Sequence, residues 1–185
     1  MTGIIIGIGG YAGAGKDAVA DVLEDSHGFY RTFMSQPLNA ALCRLNPQIE
    51  VRHGVIFRYT ELIRQLGYTR AKEFAEVRRL LQAMGTEVGR ELFGETFWVD
   101  QMRKYLGSYK PDDDVVVTGI RFPNEVDMIR SLGGMIWWVA RPGYGPVNSH
   151  ISDSSLTHDV FDHVVMNDGT LDDLEETVAR LLKNQ

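Results

Sequence analysis

The chain has 185 residues, 44% of them hydrophobic and 24% charged, with a net charge of −6 at pH 7. That length suits one large domain with a sizeable core, and the acidic balance argues against a protein that coats nucleic acid through a basic face. The single cysteine, Cys43, excludes an intrachain disulfide and a multi-cysteine zinc site. An anionic small ligand remains compatible with this balance, since 14 of the 19 basic residues are arginines, the side chain suited to bidentate phosphate contact. The N-terminus has no basic region and the run "IIIGI" is too short for a signal or membrane segment, so a cytoplasmic protein without membrane partners is expected.

Ile4 to Ile8 form a β-branched run ended by glycines, which predicts a buried parallel strand. Beyond the glycines, Ala18, Val19, Val22 and Leu23 recur at helical spacing, predicting a helix from near Gly15 to before Gly28. Phe29 to Met34 reads as a second strand. Pro37 opens a helix with Leu38, Ala41, Leu42 and Leu45 on one face, and Asn46-Pro47 stops it. Residues 48 to about 107 read as helical, without a strand. "FRYTELIRQLGY" is one helix; "AKEFAEVRRLLQAMGTEVGRELFG" is a longer one striped by Phe74, Val77, Leu81, Met84 and Val88; "FWVDQMRKYLGS" is a third.

"KPDDD" is a polar turn. Strand character returns at Val115 to Ile120, followed by a helix in "PNEVDMIRSLGG" and a strand in "MIWWVARPG". "RPGYGPVNSHISDSS" reads as a surface loop and His163 to Met166 as the last strand. Thr170 with Asp173 caps a final helix whose Leu171, Leu174, Val178 and Leu181 are expected to face inward. Five strands separated by helices predict an α/β layer fold with a largely parallel sheet, whose ligands belong at the carboxyl ends of the strands.

Two glycine codes overlap in "GIGGYAGAGKDAVADVL". The dinucleotide fingerprint is met by Gly7, Gly9 and Ala12, but it needs an acidic residue at the end of the second strand, where Met34, Ser35 and Gln36 stand. The phosphate-binding code is met by Gly10, Gly15 and Lys16. Its glycines free backbone amides to converge on phosphate oxygens, the following helix adds its positive end, and Lys16 reaches toward the β- and γ-phosphates. Phosphoryl chemistry is therefore favoured over hydride transfer. Asp17 replaces the usual hydroxyl: its carboxylate either holds Mg²⁺ or favours the helix N-terminus electrostatically, and the two are compatible.

With "SQPLNAALCRLNP", "RRLLQAMGTEVGRELFGETFWVD", "VVVTGIRFPNEVDMIRSLGG", "VARPG", "HISDSSL" and "VVMNDGTLDDL" following "GYAGAGKD" in order, the chain resembles the bacteriophage deoxynucleoside monophosphate kinases over nearly its full length. The resemblance implies a single P-loop kinase domain, sheet order 2-3-1-4-5, with a core of 1–36 and 108–185. It also implies a helical acceptor-binding region at about 37–107 and a lid at about 141–156. It implies ATP as donor, Mg²⁺, small-molecule nucleotides as partners and no nucleic-acid polymer, and it leaves a homodimer open. For a phage-encoded chain the place of work is the host cytoplasm.

The resemblance assigns ATP to Gly13, Ala14, Gly15, Lys16, Asp17 and Ala18, with Asn167 and Gly169 bordering the adenine. Ser35, Leu38, Arg64, Thr86, Arg90, Trp98, Arg121, Asn124 and Glu125 become the acceptor candidates, and Arg141 and His150 the lid candidates. Since transfer between two phosphates is mostly positioning and charge neutralisation, Lys16, Arg121 and Arg90 are the candidate catalytic residues. Trp98 either stacks on the acceptor base or belongs to the core, and Asn124 and Glu125 are ligands or first-turn residues of a helix opened by Pro123. One departure stands out: relatives often carry an aspartate where this chain has Gly119, leaving Asp17, Glu125 or Asp127 to cover the gap. A kinase resembling dephospho-coenzyme A kinase and a non-catalytic nucleotide-sensing module are the alternatives.

Overall fold

The computed structural model describes residues 3–145, 156 and 160–183. In chain order it begins with β1 (Ile5–Gly10), α1 (Lys16–His27), β2 (Tyr30–Phe33) and α2 (Gln36–Leu45). There follow β3 (Gln48–Arg52), β4 (Val55–Arg58), α3 (Tyr59–Ala71) and α4 (Ala75–Ala83), the last continued by a π-helical segment (Met84–Leu92). Then come α5 (Phe97–Leu106), β5 (Val115–Thr118), α6 (Pro123–Ser131), β6 (Met135–Ala140), β7 (His163–Met166) and α7 (Leu171–Lys183). The chain divides into two units, Met1–Met34 with Leu106–Gln185, and Ser35–Tyr105.

The first unit is a five-stranded parallel sheet in the order β2-β5-β1-β6-β7. Numbering only its own strands along the chain, that is 2-3-1-4-5, the order expected. β1 lies at the centre with Ile6 and Ile8 fully buried, because a parallel strand covered on both faces has no solvent side to give polar residues. Val19 and Leu23 of α1, Val116, Trp137, Val139 and Val165 of the strands, and Leu174 and Val178 of α7 complete one core cluster. α1 ends where Gly28, at φ 74°, donates its N–H to Glu24 O, and Phe29 N–H returns to Leu23 O, a left-handed closure that glycine adopts without strain. Leu171, expected to face inward, is exposed: as the first residue of α7 it precedes the turn that docks.

The second unit corrects the expectation of an all-helical stretch. β3 and β4 form an antiparallel hairpin through His53-Gly54, with Gly54 at φ 74° and its N–H donated to Glu50 Oε1. Ile49, Val51 and Phe57 turn into a core shared with Leu38, Leu42, Tyr59, Leu62, Ala71 and Val77. Asn46, left-handed at φ 47°, closes α2 and accepts both the N–H and the hydroxyl of Thr60 at its side-chain oxygen. Leu45, expected on the apolar face of α2, is exposed beside that stop.

The longer helix expected over 71–94 is likewise two objects. α4 ends at Ala83 and the chain widens to π winding, in which each residue advances less around the axis. The apolar stripe consequently falls out of phase, and Val88 is exposed. Among the described residues no helix is long and apolar enough to cross a membrane.

Candidate functional site

In a parallel sheet every strand ends on the same edge, so the segments after β1, β5, β6 and β7 leave together. The glycine loop is the first of them. Gly10, Gly13 and Gly15 all have positive φ (145°, 76° and 97°), conformations open to glycine and costly for residues with a Cβ. Ala14, buried, closes the loop by donating its N–H to Tyr11 O at 3.2 Å. Lys16 Nζ folds back over it, donating to Gly10 O at 2.9 Å and Tyr11 O at 2.8 Å. The ammonium is thereby centred on the loop at the mouth of α1, whose N-cap, Gly15, supplies no capping side chain. Unsatisfied amides at a helix start with a lysine held beside them are an arrangement able to receive an anion.

Two later segments touch this loop. Asn167, just after β7, donates its side-chain amide to Ala14 O at 2.9 Å, and its own N–H goes to Ala140 O at the end of β6. Asn167 thus buttresses the loop backbone. Gly15 is the residue beneath it, and a Cβ there would lie 2.1 Å from Asn167 Nδ2. The Tyr144 ring lies over Gly13, 2.6 Å from where a Cβ would stand, and Arg141 packs its guanidinium on that ring at 4.9 Å. Gly169 belongs to the turn that caps α7, where Thr170 and Asp173 exchange hydrogen bonds. Ala18 is half-buried behind the loop.

Asp17 stands on the first turn of α1 with 72% of its side chain exposed. Its Oδ1 accepts from Arg31 Nη2, while Arg31 Nη1 binds Asp21 Oδ1 one turn further along α1. Asp17 Oδ2 has no partner among the described residues. On the neighbouring strand end, Gly119 takes φ 84°, and its N–H and that of Ile120 both reach Ile8 O. Arg121 follows, exposed, its guanidinium without a partner among the described residues. Glu125 is 8% exposed and its Oε2 accepts the backbone N–H groups of Arg121 at 2.6 Å and Phe122 at 3.1 Å. That carboxylate therefore caps α6 and fixes the backbone that carries Arg121. Asn124 is half-buried in the same turn and Asp127 is exposed.

The remaining candidates belong to the second unit. Ser35 precedes α2, and its hydroxyl pairs with the Tyr68 hydroxyl at 3.0 Å. Burial pushes the Tyr68 phenol up, with Cys43 adding to the shift and the Ser35 bond opposing it. Buried Asn39 accepts from Tyr59 Oη at 2.8 Å. Leu38 is buried, near Gly85. Arg64 is exposed on α3, Thr86 is exposed in the π segment, and Arg90 is half-buried in its last turn. Trp98 N–H is shared between Met84 O and Gly85 O, each at 3.2 Å, carbonyls at the start of the π segment. Its indole packs against the second core and leaves no room at Gly89, where a Cβ would lie 1.9 Å away.

Of the residues expected at the site, the loop, Lys16 and Asn167 are brought into direct contact, and Arg121 and Arg141 leave the same sheet edge. His150 lies outside the described residues, as does most of the lid region. Sequence reasoning missed Arg31 and Tyr144. The carboxylates at 17 and 21, one turn apart on a helix, were a readable request for a cation. Nothing in the sequence says that β2 supplies it.

The sequence profile of the deoxynucleotide monophosphate kinase family matches residues 53–178. The deoxynucleotide monophosphate kinase of Escherichia phage RB69 is 33% identical over 111 residues, 58% of this chain and 45% of its own length. The chain therefore spans about half the length of the first curated relatives it matches. A protein of Acanthamoeba polyphaga mimivirus is 26% identical over 195 residues, 98% of this chain and 97% of its own. The solved structure of TT1252 from Thermus thermophilus aligns over 100% of this chain and 98% of its own with a TM-score of 0.53 at 19% identity, which speaks to the fold alone. The profile match takes in well over half of the residues, including the strands β5 to β7 that carry Arg121, Arg141 and Asn167, and on that ground the chain belongs to the deoxynucleotide monophosphate kinase family.

Proposed function

We propose that the protein transfers the γ-phosphoryl group of ATP to deoxynucleoside monophosphates, giving the diphosphates, in the host cytoplasm. The observation that carries this is the Gly10–Lys16 loop, with its ammonium set over it, in a chain that belongs to this family. In this reading the amides of Gly13 to Ala18 and Lys16 grip the donor's phosphate tail. Asn167 holds the loop in shape and Gly169 borders the adenine. Ser35, Leu38, Arg64, Thr86, Arg90, Trp98, Asn124 and Glu125 serve the acceptor region at about 37–107 and its flank at 123–125. Glu125 does so by fixing the backbone of Arg121.

The acceptor phosphate is already ionised, so the protein needs no strong base. What it must supply is positive charge against two approaching anions, which is the work of Lys16, Arg121 and Arg90. Arg141 and His150 belong to a lid over about 141–156 that keeps water from competing as acceptor. Asp17 fits a hard divalent cation, since it offers an exposed carboxylate oxygen with no other partner beside the loop lysine. Charge neutralisation on the β- and γ-oxygens is what Mg²⁺ supplies when bound.

The test is ADP release measured across the four deoxynucleoside monophosphates, their ribose counterparts and dephospho-coenzyme A. Turnover with the deoxynucleotides is expected, and Lys16→Ala should abolish it while circular dichroism stays that of the wild type. Normal phosphorylation by Lys16→Ala, or tight ATP binding with no ADP formed from any acceptor, overturns the proposal.

A further inference from the structure

Arg31 has no role in the reading above, yet its guanidinium spans two carboxylates at the mouth of the phosphate loop. One nitrogen binds Asp17 and the other Asp21. The arginine side chain is only 26% exposed, whereas the two aspartates are 72% and 58% exposed, so the cation is the held partner and the carboxylates form the outer edge. Ion pairs this open to water contribute little to stability. The Asp17 carboxylate, however, lies one residue from Lys16, beside any anion the loop takes. An unpaired carboxylate at position 17 would repel a triphosphate tail, where a loop with serine or threonine at that position meets no such repulsion.

We propose that Arg31 is the positioning residue that makes an aspartate tolerable in this phosphate loop: it neutralises Asp17 through Oδ1 and holds that carboxylate to one side, leaving Oδ2 free. This rests on the assignment of the loop to the triphosphate donor and deepens it. Asp21 shares the guanidinium and fixes its plane by a second bond, which a lysine, a point charge on a flexible stem, does not reproduce.

The experiment is a double-mutant cycle on ATP binding, read by calorimetry in EDTA so that neither turnover nor metal enters, with Arg31→Gln, Asp17→Asn and the pair. Arg31→Gln alone is expected to weaken ATP binding about tenfold, the scale of one close charge interaction at a protein surface. In the Asp17→Asn background the same change should weaken binding by less than about threefold, because the carboxylate to be neutralised is gone. Arg31→Lys keeps the charge and should fall between wild type and Arg31→Gln. Equal losses in both backgrounds mean that Arg31 acts on the phosphates directly or through the fold, and overturn the proposal, as does an Arg31→Gln variant that binds ATP like wild type. Failure of the wild-type protein to bind ATP overturns the donor-site reading itself and the proposal with it.

Discussion

Gly15 and Asn167 are 152 positions apart in sequence and in contact at the glycine loop, which makes them a sharp probe of whether the loop is built as described. Gly15→Ala places a methyl group at φ 97°, 2.1 Å from Asn167 Nδ2. The left-handed backbone costs an L-residue about 1–2 kcal/mol. The methyl group also forces the amide away from Ala14 O, and a net intramolecular hydrogen bond is worth about 1 kcal/mol. The substitution should therefore destabilise the protein by about 2–3 kcal/mol. Asn167→Ala removes the bond alone and should cost about 1 kcal/mol.

In the double variant the clash has nothing to strike and the bond is already gone, so the cost should stay at about 2–3 kcal/mol rather than rise to about 3–4. Urea unfolding of the four proteins, followed by tryptophan fluorescence and circular dichroism, measures that coupling of about 1 kcal/mol. Strict additivity would refute the contact. A Gly15→Ala variant as stable as wild type would refute the left-handed conformation as well.

Glu125→Ala leaves the amides of Arg121 and Phe122 without their buried acceptor and should destabilise by about 1–3 kcal/mol. Glu125→Gln keeps an acceptor oxygen and should lose less in the same denaturation assay. Gly89→Ala drives a methyl group into the Trp98 indole, breaks its bonds to Met84 O and Gly85 O, and should cost about 1–3 kcal/mol by overpacking with a red-shifted emission. The hydroxyl and amide of Thr170 hold the Asp173 carboxyl below the usual carboxylate range. A folded pKa below the unfolded one gives stability that is present above the unfolded value and is lost as pH falls through the folded value. Urea midpoints of Asp173→Asn should consequently fall less than those of wild type on acidification below the ordinary carboxylate range; parallel curves would contradict the cap.

What was legible in the sequence was whatever depends on near neighbours. β1, the glycine loop and α1 follow from a β-branched run, three glycines and a helical period, all within 24 residues of one another. β7 and the Thr170–Asp173 cap were readable for the same reason. The hairpin at β3 and β4 also carried a local signal, the alternation of Ile49 and Val51 with Val55 and Phe57 about His53-Gly54. It was masked by helical residues on either side, and strands of five and four residues give alternation little room to declare itself.

The candidate site divides along the same line. Local spacing alone determined the glycine loop and its lysine, because a strand, a tight turn and a helix start are fixed by consecutive residues. Tertiary structure alone decided that Arg31 takes Asp17, that Asn167 braces Ala14, that Tyr144 covers Gly13, and that the Trp98 indole is bonded to π-helical carbonyls. These partners lie 13 to 153 positions apart. Which side chain meets which at such a distance is set by sheet order and packing, and a hydrogen-bonding group leaves no trace in the sequence of the partner the fold will bring to it.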